Sequence, residues 1–362
     1  MMAQPIDKPR LLLMGDARQV HLKRWATYFT EAGYDVLSLS LEHTDNYPGE
    51  IRFIRMPSFL PRALRYTLSV PAIKNLTRRF NPHIVNAHFV PNYGLIASLI
   101  ARKPWVLSAW GSDIMTDPGK SPFHRMRTGY VLRNATRITS DAQVMTEKIE
   151  SMGIPKELIV TFPYGVDRAF FYPRTEPLEG GPRILSNRKL EPVYSISTLI
   201  DAFPAIREAY NQATLTVAGD GKLRSELASR SDLSIARRAI VFVGDVDHAR
   251  MPVLLRDHHI YVSTSLSDTT SVSLLEAMAC GLFPVVSDIP ANREWVEDGV
   301  NGRLVPVQQP MTLAMTIIEA WKDSSLRVSA ADKNAQLVRE RAEWRSNMQV
   351  VLDLFEQLME AA

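Results

Sequence analysis

Short apolar runs alternate with amphipathic stretches in two successive series along this chain of 362 residues. In the first series, residues 10–15 (RLLLMG) read as a buried strand that stops at a glycine, and residues 21–32 have helical spacing of their apolar side chains. Further strands are predicted at residues 35–39, 51–55, 83–86, 106–109 and 137–140, with a helix at residues 93–101. Strands that alternate with helices in this way indicate a parallel, doubly wound α/β sheet.

The second series begins near Arg183. Strands are predicted at residues 184–187, 214–218, 240–243, 260–263 and 283–286, and helices at residues 197–209, 222–229, 253–256, 272–279 and 345–359. Residues 164–182 are rich in Pro and Gly and lack periodicity, which favours a linker. The predicted organisation is a first domain at residues 1–165, a linker at 166–182, a second domain at 183–340, and a last helix at 341–362 that packs back toward the first domain. Two such domains leave a cleft between the carboxyl ends of their sheets, where open α/β sheets bind ligands.

Composition narrows the class of protein. No apolar run approaches the ~18 residues of a membrane span, and Asp7, Lys8 and Arg10 place charges where an export signal needs an apolar core. The single cysteine, Cys280, is interpreted as a small buried residue; it excludes an internal disulfide and suits a reducing cytoplasm. Residues 1–170 carry 22 basic and 14 acidic side chains, and the rest of the chain carries 20 and 25. The first half therefore favours an anionic partner, such as a membrane surface or a phosphate-bearing acceptor, although a solvated basic surface explains the charge equally well.

Residues 265–305 (SLSDTTSVSLLEAMACGLFPVVSDIPANREWVEDGVNGRLV) are the most informative segment for function. Asp268 stands in a short polar loop, hydroxyl side chains follow it, and Glu276 lies in the apolar helix that comes next. If that helix begins near Thr270, the N–H groups of residues 270–272 can meet a diphosphate, and Glu276 can accept hydrogen bonds from two ribose hydroxyls. Asp268 could then hold a hexose hydroxyl. The alternative is that Asp268 is a helix cap and Glu276 a surface acid.

Several motifs carry a resemblance to a known family. They are LLEAMACGLFPVVSDIPANREWVEDGVNGRLV, AGDGKLRSEL, FVGDV, NRKLEP with STLIDAF, YGVD, HLKRWATYFTEAGYDV and VNAHF. Together they resemble the family 4 retaining glycosyltransferases of the GT-B fold. The resemblance covers nearly the whole chain and is most specific in the second half.

The resemblance implies two Rossmann-like doubly wound domains that face an interdomain cleft. It also implies transfer of a hexose-type sugar from a nucleotide-diphosphate donor, most readily a UDP-sugar, to a hydroxyl acceptor with retention of configuration. The implied catalytic residues are Arg188, Lys189, Asp268 and Glu276. The implied donor-binding residues are Gly15, Asp16, Gly219, Gly244, Val246, Thr269, Thr270, Ser271, Val272 and Glu276, and the implied acceptor or cleft residues are His21, His88, Trp110 and Asp113. No cofactor and no metal are expected, since the adjacent His258 and His259 have no third ligand beside them.

Four departures from the family pattern stand out. Asp268 replaces the usual Glu, residues 269–271 carry hydroxyls where the family has glycines, Tyr194 stands at the usual Lys position, and Trp110 replaces a common His. Trp110 could form an apolar wall or pack in a core, and Asp113 could orient an acceptor or cap a turn. The departures keep two alternatives open: a non-catalytic sugar-nucleotide-binding protein or partner subunit, and a GT-B-like epimerase or hydrolase.

Residues 57–80 interleave basic with apolar side chains. This mixture suits a membrane interface or a lipid-linked acceptor, and it equally suits a surface helix with one apolar face. The expected location is the cytoplasm, with peripheral contact at the inner face of an anionic membrane as one interpretation. No nucleic-acid partner is expected.

Overall fold

The computed structural model describes residues 8–100, 104–232 and 236–361, without the side chains of Arg62, Ala63 and Arg237. Asp7, one of the charges weighed against an export signal, and Ala101, the last residue of one predicted helix, lie outside this description. The chain divides into two compact units, Met1–Phe162 with Met348–Ala362, and Pro163–Asn347.

The first unit is a seven-stranded parallel sheet in the order β3-β2-β1-β4-β5-β6-β7. Its elements are β1 (Arg10–Met14), α1 (Val20–Glu31), β2 (Asp35–Ser40), β3 (Glu50–Phe53), α2 (Arg62–Phe80), β4 (Ile84–His88), α3 (Leu95–Ile100), β5 (Trp105–Ser108), α4 (Ser112–Met115), α5 (Pro122–Asn134), β6 (Arg137–Ser140), α6 (Gln143–Glu150) and β7 (Ile159–Thr161).

The second unit is a six-stranded parallel sheet in the order β10-β9-β8-β11-β12-β13. Its elements are β8 (Arg183–Ser186), α7 (Ile196–Ala209), β9 (Thr214–Ala218), α8 (Arg224–Asp232), β10 (Ile240–Gly244), α9 (Met251–Arg256), β11 (Ile260–Ser263), α10 (Val272–Ala279), β12 (Phe283–Ser287), α11 (Pro290–Arg293), β13 (Arg303–Val305), α12 (Pro310–Lys322) and α13 (Ser324–Arg341). The last helix, α14 (Trp344–Glu360), follows.

The apolar runs of the sequence are the segments that the structure buries. Leu11, Leu12 and Leu13 of β1 are fully buried, as expected for a central strand covered on both faces. In the first unit, Phe29 of α1 stacks on Phe355 of α14 at 4.9 Å between ring centroids. In the second unit, α7 packs against α12, and residues 166–182 contain no helix or strand but bury Phe171 in the core. Each sheet therefore forms its own hydrophobic core with the helices that pack against it.

The predicted strands are present, and several helices differ from their predictions. The predicted helix at residues 93–101 begins instead as a π-helical segment, Phe89–Gly94, which α3 continues. The sequence did not predict α5, because its apolar side chains lie on both its buried and its exposed faces rather than in one stripe. No helix of the described residues is both long enough and apolar enough to cross a membrane.

Candidate functional site

The motifs of the second half meet at the carboxyl edge of the second sheet. Arg188 follows β8, Gly219 follows β9, Gly244 ends β10, and the loop with Asp268 follows β11. These four strands are neighbours in the order β10-β9-β8-β11. Because parallel strands present their carboxyl ends at one edge, residues far apart in sequence form one cluster there.

Arg188 is the centre of this cluster. Its Nη2 donates to Asp268 Oδ2 at 2.5 Å, and its Nη1 donates to Ser271 Oγ at 2.6 Å. The guanidinium carbon lies 4.4 Å from the ring centroid of Tyr194, which occupies the position of the family's usual Lys. Tyr194 thus supplies an aromatic face at the position where the resembled family usually has the charge of a Lys.

The cluster keeps Arg188 charged although its side chain is only 8% exposed. Burial, the largest single influence, lowers the pKa of Arg188, but Asp268 together with Tyr261 and Tyr194 outweighs it, so the pKa is raised. Lys189, by contrast, is exposed and forms no ion pair with the described residues. Of the two basic candidates predicted from the sequence, the structure brings only Arg188 into the cluster.

Gly219 permits a close approach of two loops beside Arg188. It has φ of +122°, and a Cβ there would lie 2.6 Å from the carbonyl oxygen of Arg188. Its N–H donates to the carbonyl of Gly244 at 2.7 Å. A glycine is required here both by its backbone conformation and by the space available.

Helix α10 spans Val272–Ala279, as the apolar spacing predicts, and begins two residues after the Thr270 start that was assumed for the diphosphate contact. Ser271 is its N-cap, and Ser271 Oγ accepts the N–H of Leu274 at 3.3 Å. The N–H groups that head the helix are therefore those of Val272 and Ser273, while Thr269 and Thr270 are buried in the preceding loop. The same Ser271 hydroxyl thus caps α10 and accepts from Arg188.

Glu276 is buried one turn inside α10, and its partner was not predicted. Glu276 Oε1 lies 3.1 Å from Nε2 of His248, a residue of the loop after β10. The ring of His248 also lies 5.2 Å from that of Phe171. The sequence predicts the half-buried Val246 of this loop as a site residue but not His248. No motif marks His248, and its contact with Glu276 joins residues 28 positions apart.

A second cluster lies at the carboxyl edge of the first sheet. Gly15 follows β1, His88 ends β4, and Trp110 follows β5, which are three neighbouring strands. His88 is 2% exposed, and neither ring nitrogen has a hydrogen-bond partner among the described residues. Burial, together with nearby His21, lowers the pKa of His88 to about 3, so its imidazole is neutral. A Cβ at Gly15 would lie 3.3 Å from the Cβ of His88, which shows how closely the β1 loop approaches.

Aromatic rings surround His88. The ring of Trp25 lies 4.7 Å from it and that of Trp110 lies 5.4 Å from it, and Trp110 also meets His21 at 4.8 Å. Trp110 is half-buried. It therefore forms an apolar wall beside both histidines.

Asp113 ties two loops of the first unit together. Its Oδ1 accepts the N–H of Trp110, and its Oδ2 accepts the N–H of Val90, each at 3.0 Å. The side chain is fully buried, and burial raises its pKa to about 6. This geometry fits the capping interpretation of Asp113 better than contact with an acceptor. Asp16, in the loop between β1 and α1, forms an ion pair with Arg18 at 2.6 Å.

The adjacent histidines of the second unit have structural partners. The ring of His258 meets Leu254 O and Thr216 Oγ1, and the ring of His259 meets the N–H of Arg183 and Leu178 O. Across the described residues, no three His, Cys, Asp or Glu side chains are grouped as metal ligands. Cys280 is buried as predicted, and burial raises its pKa to about 12, which makes it a poor nucleophile.

Comparison with known families gives one match in each half of the chain. The profile of "Glycosyl transferases group 1" matches residues 168–338, and that of "Glycosyl transferase 4-like" matches residues 10–142. The chain belongs to the family 4 glycosyltransferases. The first profile contains the cluster around Arg188, and the second contains the cluster around His88.

Solved structures show that this glycosyltransferase has the GT-B fold. Sucrose-phosphate synthase from Thermosynechococcus elongatus superposes with a TM-score of 0.84 at 17% identity, over 98% of this chain and 100% of that one. The Anabaena protein HepE, solved with UDP-glucose, gives 0.79 at 19% identity, over 96% of this chain and 100% of that one.

A curated relative is the phosphatidyl-myo-inositol mannosyltransferase of Mycobacterium leprae. It is 29% identical over 185 residues, which are 49% of this chain and 48% of that protein. The chain thus spans about half the length of the curated mannosyltransferases that it matches.

Proposed function

We propose that this chain is a retaining glycosyltransferase that moves a hexose-type sugar from a nucleotide-diphosphate donor to a hydroxyl acceptor. The observation that carries the proposal is the second-unit cluster, where a buried, charged Arg188 lies beside the start of α10 and Glu276 lies one turn inside that helix. A cation and helix N–H groups suit a diphosphate, and a carboxylate at this depth suits ribose hydroxyls. UDP is the proposed nucleotide because HepE, with the same fold, has been solved with UDP and with UDP-glucose.

The proposed chemistry needs no protein nucleophile. As the glycosidic bond to the diphosphate breaks, negative charge grows on the leaving phosphate, and Arg188 and the N–H groups of Val272 and Ser273 stabilise it. The leaving phosphate takes the proton of the acceptor hydroxyl while that oxygen bonds to the anomeric carbon from the same face. No cofactor or metal takes part in the proposal.

Glu276 and His248 form the proposed ribose-binding site. Because His248 Nε2 lies beside Oε1, it restrains the Glu276 carboxylate in one orientation at the carboxyl edge of the sheet. Asp268 is shorter than the family's usual Glu, and its carboxylate accepts a hydrogen bond from Arg188. It would contact the hexose only while it also keeps that hydrogen bond. The proposal therefore assigns donor-sugar preference to Asp268 and its neighbours, and nucleotide affinity to Glu276 and His248.

The first-unit cluster is the proposed acceptor side. His88 is neutral and buried, so its unpartnered ring nitrogens can exchange hydrogen bonds with a hydroxyl without adding charge. Trp110 would form an apolar wall for the acceptor in place of the family's common His. A cytoplasmic location, expected from the lone Cys280, belongs to the same proposal.

A donor panel tests the function. The protein is incubated with UDP-, GDP- and ADP-sugars, each with and without hydroxyl acceptors, and nucleotide release is measured. Release that depends on the acceptor supports a transferase. Release without an acceptor would instead indicate the hydrolase alternative, and interconversion of the sugar without release would indicate the epimerase.

One observation favours the non-catalytic alternative. The Arg188 charge is already paired with Asp268, so a diphosphate must share that charge or displace the carboxylate. A protein that binds UDP-sugars tightly in calorimetry but releases no nucleotide with any acceptor in the panel would fit a sugar-nucleotide-binding subunit. An Asp268→Glu variant, which restores the family's usual residue, would then be expected to gain turnover.

A further inference from the structure

Helices α2, α3 and α5 form one layer on the first sheet. α2 packs against α3, and α3 packs against α5. All three belong to connections that cross the sheet in the same direction, and right-handed connections of that kind place their helices on one face. None of these three helices contains an aspartate or a glutamate, whereas α6, whose connection crosses in the same direction, carries Glu147 and Glu150.

The layer exposes large apolar side chains to solvent. Phe59, just before α2, is 83% exposed, and Phe123 and Met126 on α5 are 62% and 64% exposed. Among the described residues, those of this kind are Phe59, Leu64, Leu68, Leu99, Phe123, Met126 and Tyr130. Such residues are normally scattered singly over a surface, so their concentration on one layer marks an interaction surface.

Basic side chains accompany them. Lys74, Arg78 and Arg79 on α2 and Arg125 and Arg133 on α5 are exposed, and none forms an ion pair with a described residue. Lys120 and Arg127 differ, because each forms an ion pair with Asp117. We call the exposed apolar and unpaired basic residues of this layer the basic–apolar face.

We propose that the basic–apolar face docks on an anionic lipid bilayer. Exposed Phe, Leu and Met side chains enter the headgroup region of a bilayer, and unpaired Arg and Lys are attracted to its negative surface, so a bilayer uses both halves of the pattern. A second copy of the chain fits less well, since a two-fold contact would bring the same positive charges together. A nucleic acid would use the charges but leave the aliphatic side chains in water.

The topology places this face next to the proposed acceptor cluster. The carboxyl end of α2 leads into β4, and that of α5 leads into β6, so both helices run antiparallel to the strands. Their amino-terminal halves, with Leu64, Leu68, Phe123 and Met126, therefore lie toward the carboxyl edge of the sheet, where His88 ends β4. A docked bilayer would hold a lipid-linked hydroxyl near that edge.

Vesicle sedimentation tests the docking, and it needs no donor, so its result is independent of the transferase proposal. At low salt we expect the full chain to pellet with vesicles of equal parts phosphatidylglycerol and phosphatidylcholine, to pellet little with phosphatidylcholine alone, and to be released by added salt. Two double variants should each bind the anionic vesicles at least about tenfold more weakly than the parent chain. They are Phe123→Ser/Met126→Ser and Arg78→Glu/Arg79→Glu.

Matched controls lie on the second unit. Met311→Ser/Met315→Ser on α12 removes two methionines that are 61% and 51% exposed, and Lys333→Glu/Arg339→Glu on α13 reverses two exposed charges. Both should bind as the parent chain does. The proposal is overturned if the parent does not pellet at low salt, if the controls lose as much binding, or if sedimentation equilibrium shows a dimer that Phe123→Ser/Met126→Ser dissociates. Binding to DNA that exceeds vesicle binding under the same salt would equally overturn it.

Discussion

At the scale of single residues, Arg188 and Asp268 depend on each other. Both side chains are largely buried, and each is the other's counter-charge at 2.5 Å. Removing one partner of a buried pair leaves an uncompensated charge, which costs about 3–5 kcal/mol. Substituting Arg188 alone therefore mixes a loss of folding stability with any loss of catalysis.

A double substitution separates these effects. We expect Arg188→Gln to lower the free energy of unfolding by about 3 kcal/mol, and Arg188→Gln/Asp268→Asn to recover most of that loss. Turnover should stay low in both variants, and it should fall more than UDP affinity, because the charge acts mainly on the developing diphosphate. Urea unfolding, calorimetry and product formation measure the three quantities. Equal losses of affinity and turnover would indicate a ground-state role for Arg188.

The contact between Glu276 and His248 predicts a graded loss of nucleotide binding. Glu276→Ala should abolish UDP binding. His248→Ala should weaken it about tenfold, which corresponds to one hydrogen bond to a charged group, and His248→Gln should restore part of it. The wild type should prefer UDP to 2′-deoxy-UDP, and His248→Ala should reduce that preference. Arg250→Ala, an exposed change in the same loop, is the control. Unchanged UDP affinity in Glu276→Ala would refute the ribose assignment.

His88 predicts a dependence of stability on pH. Its pKa is lowered to about 3 in the folded chain, below the ~6.5 of an unfolded histidine. Below pH ~6.5 the unfolded chain therefore binds a proton that folded His88 does not, and the wild type loses up to ~1.4 kcal/mol per pH unit until the pH reaches the folded value.

A His88→Phe variant checks this sign. It removes a buried imidazole without hydrogen-bond partners, so we expect equal or greater stability at pH 7 and a growing advantage over the wild type as the pH falls toward 5. Acceptor-dependent turnover should be lost. Urea titrations at both pH values measure the first effect. Stability curves that stay parallel between pH 7 and pH 5 would contradict the buried neutral state.

At the scale of elements, α10 joins folding to the site through its N-cap. Ser271 Oγ accepts both the Leu274 N–H of its own helix and Nη1 of Arg188. Asp323 caps α13 in a comparable way, accepting the N–H of Leu326 at 2.9 Å, but it lies outside the cluster. The two caps therefore form a matched pair.

Ser271→Ala and Asp323→Ala should each cost about 1 kcal/mol of stability through the lost cap. Only Ser271→Ala should also weaken UDP binding, because Arg188 then loses the Ser271 hydroxyl as a hydrogen-bond acceptor. Thermal unfolding and calorimetry compare the pair. A similar loss of UDP affinity in both variants would show that the effect is general destabilisation.

At the scale of the whole molecule, the two units should respond to different ligands. In hydrogen exchange, UDP should protect the loop after β8, residues 244–248 and the start of α10, which all belong to the second unit. Anionic vesicles should instead protect α2 and α5 of the first unit. UDP protection confined to the first unit would contradict the donor assignment, and vesicle protection of α12 or α13 would contradict the docking face.

Much of this architecture is predictable because buried parallel strands are local apolar runs. The strand at residues 10–15 and the pattern from Asp268 to Glu276 are legible in the sequence, and the family resemblance is confirmed. Helices α2 and α5 are harder to predict from the sequence, since apolar side chains on their exposed faces obscure the helical periodicity of the buried ones. That blurring is the same property that makes the layer a docking surface.

By itself, the sequence determined the fold class, the two α/β series and the candidate donor segment, since these depend on periodicity and on residues close together in the chain. Only the tertiary structure decided that Arg188 rather than Lys189 enters the cluster, that His248 meets Glu276, and that Trp110 faces His88. Each of these contacts joins the ends of different strands. Their geometry follows from strand order and register, which bring distant residues to one sheet edge and which no local pattern encodes.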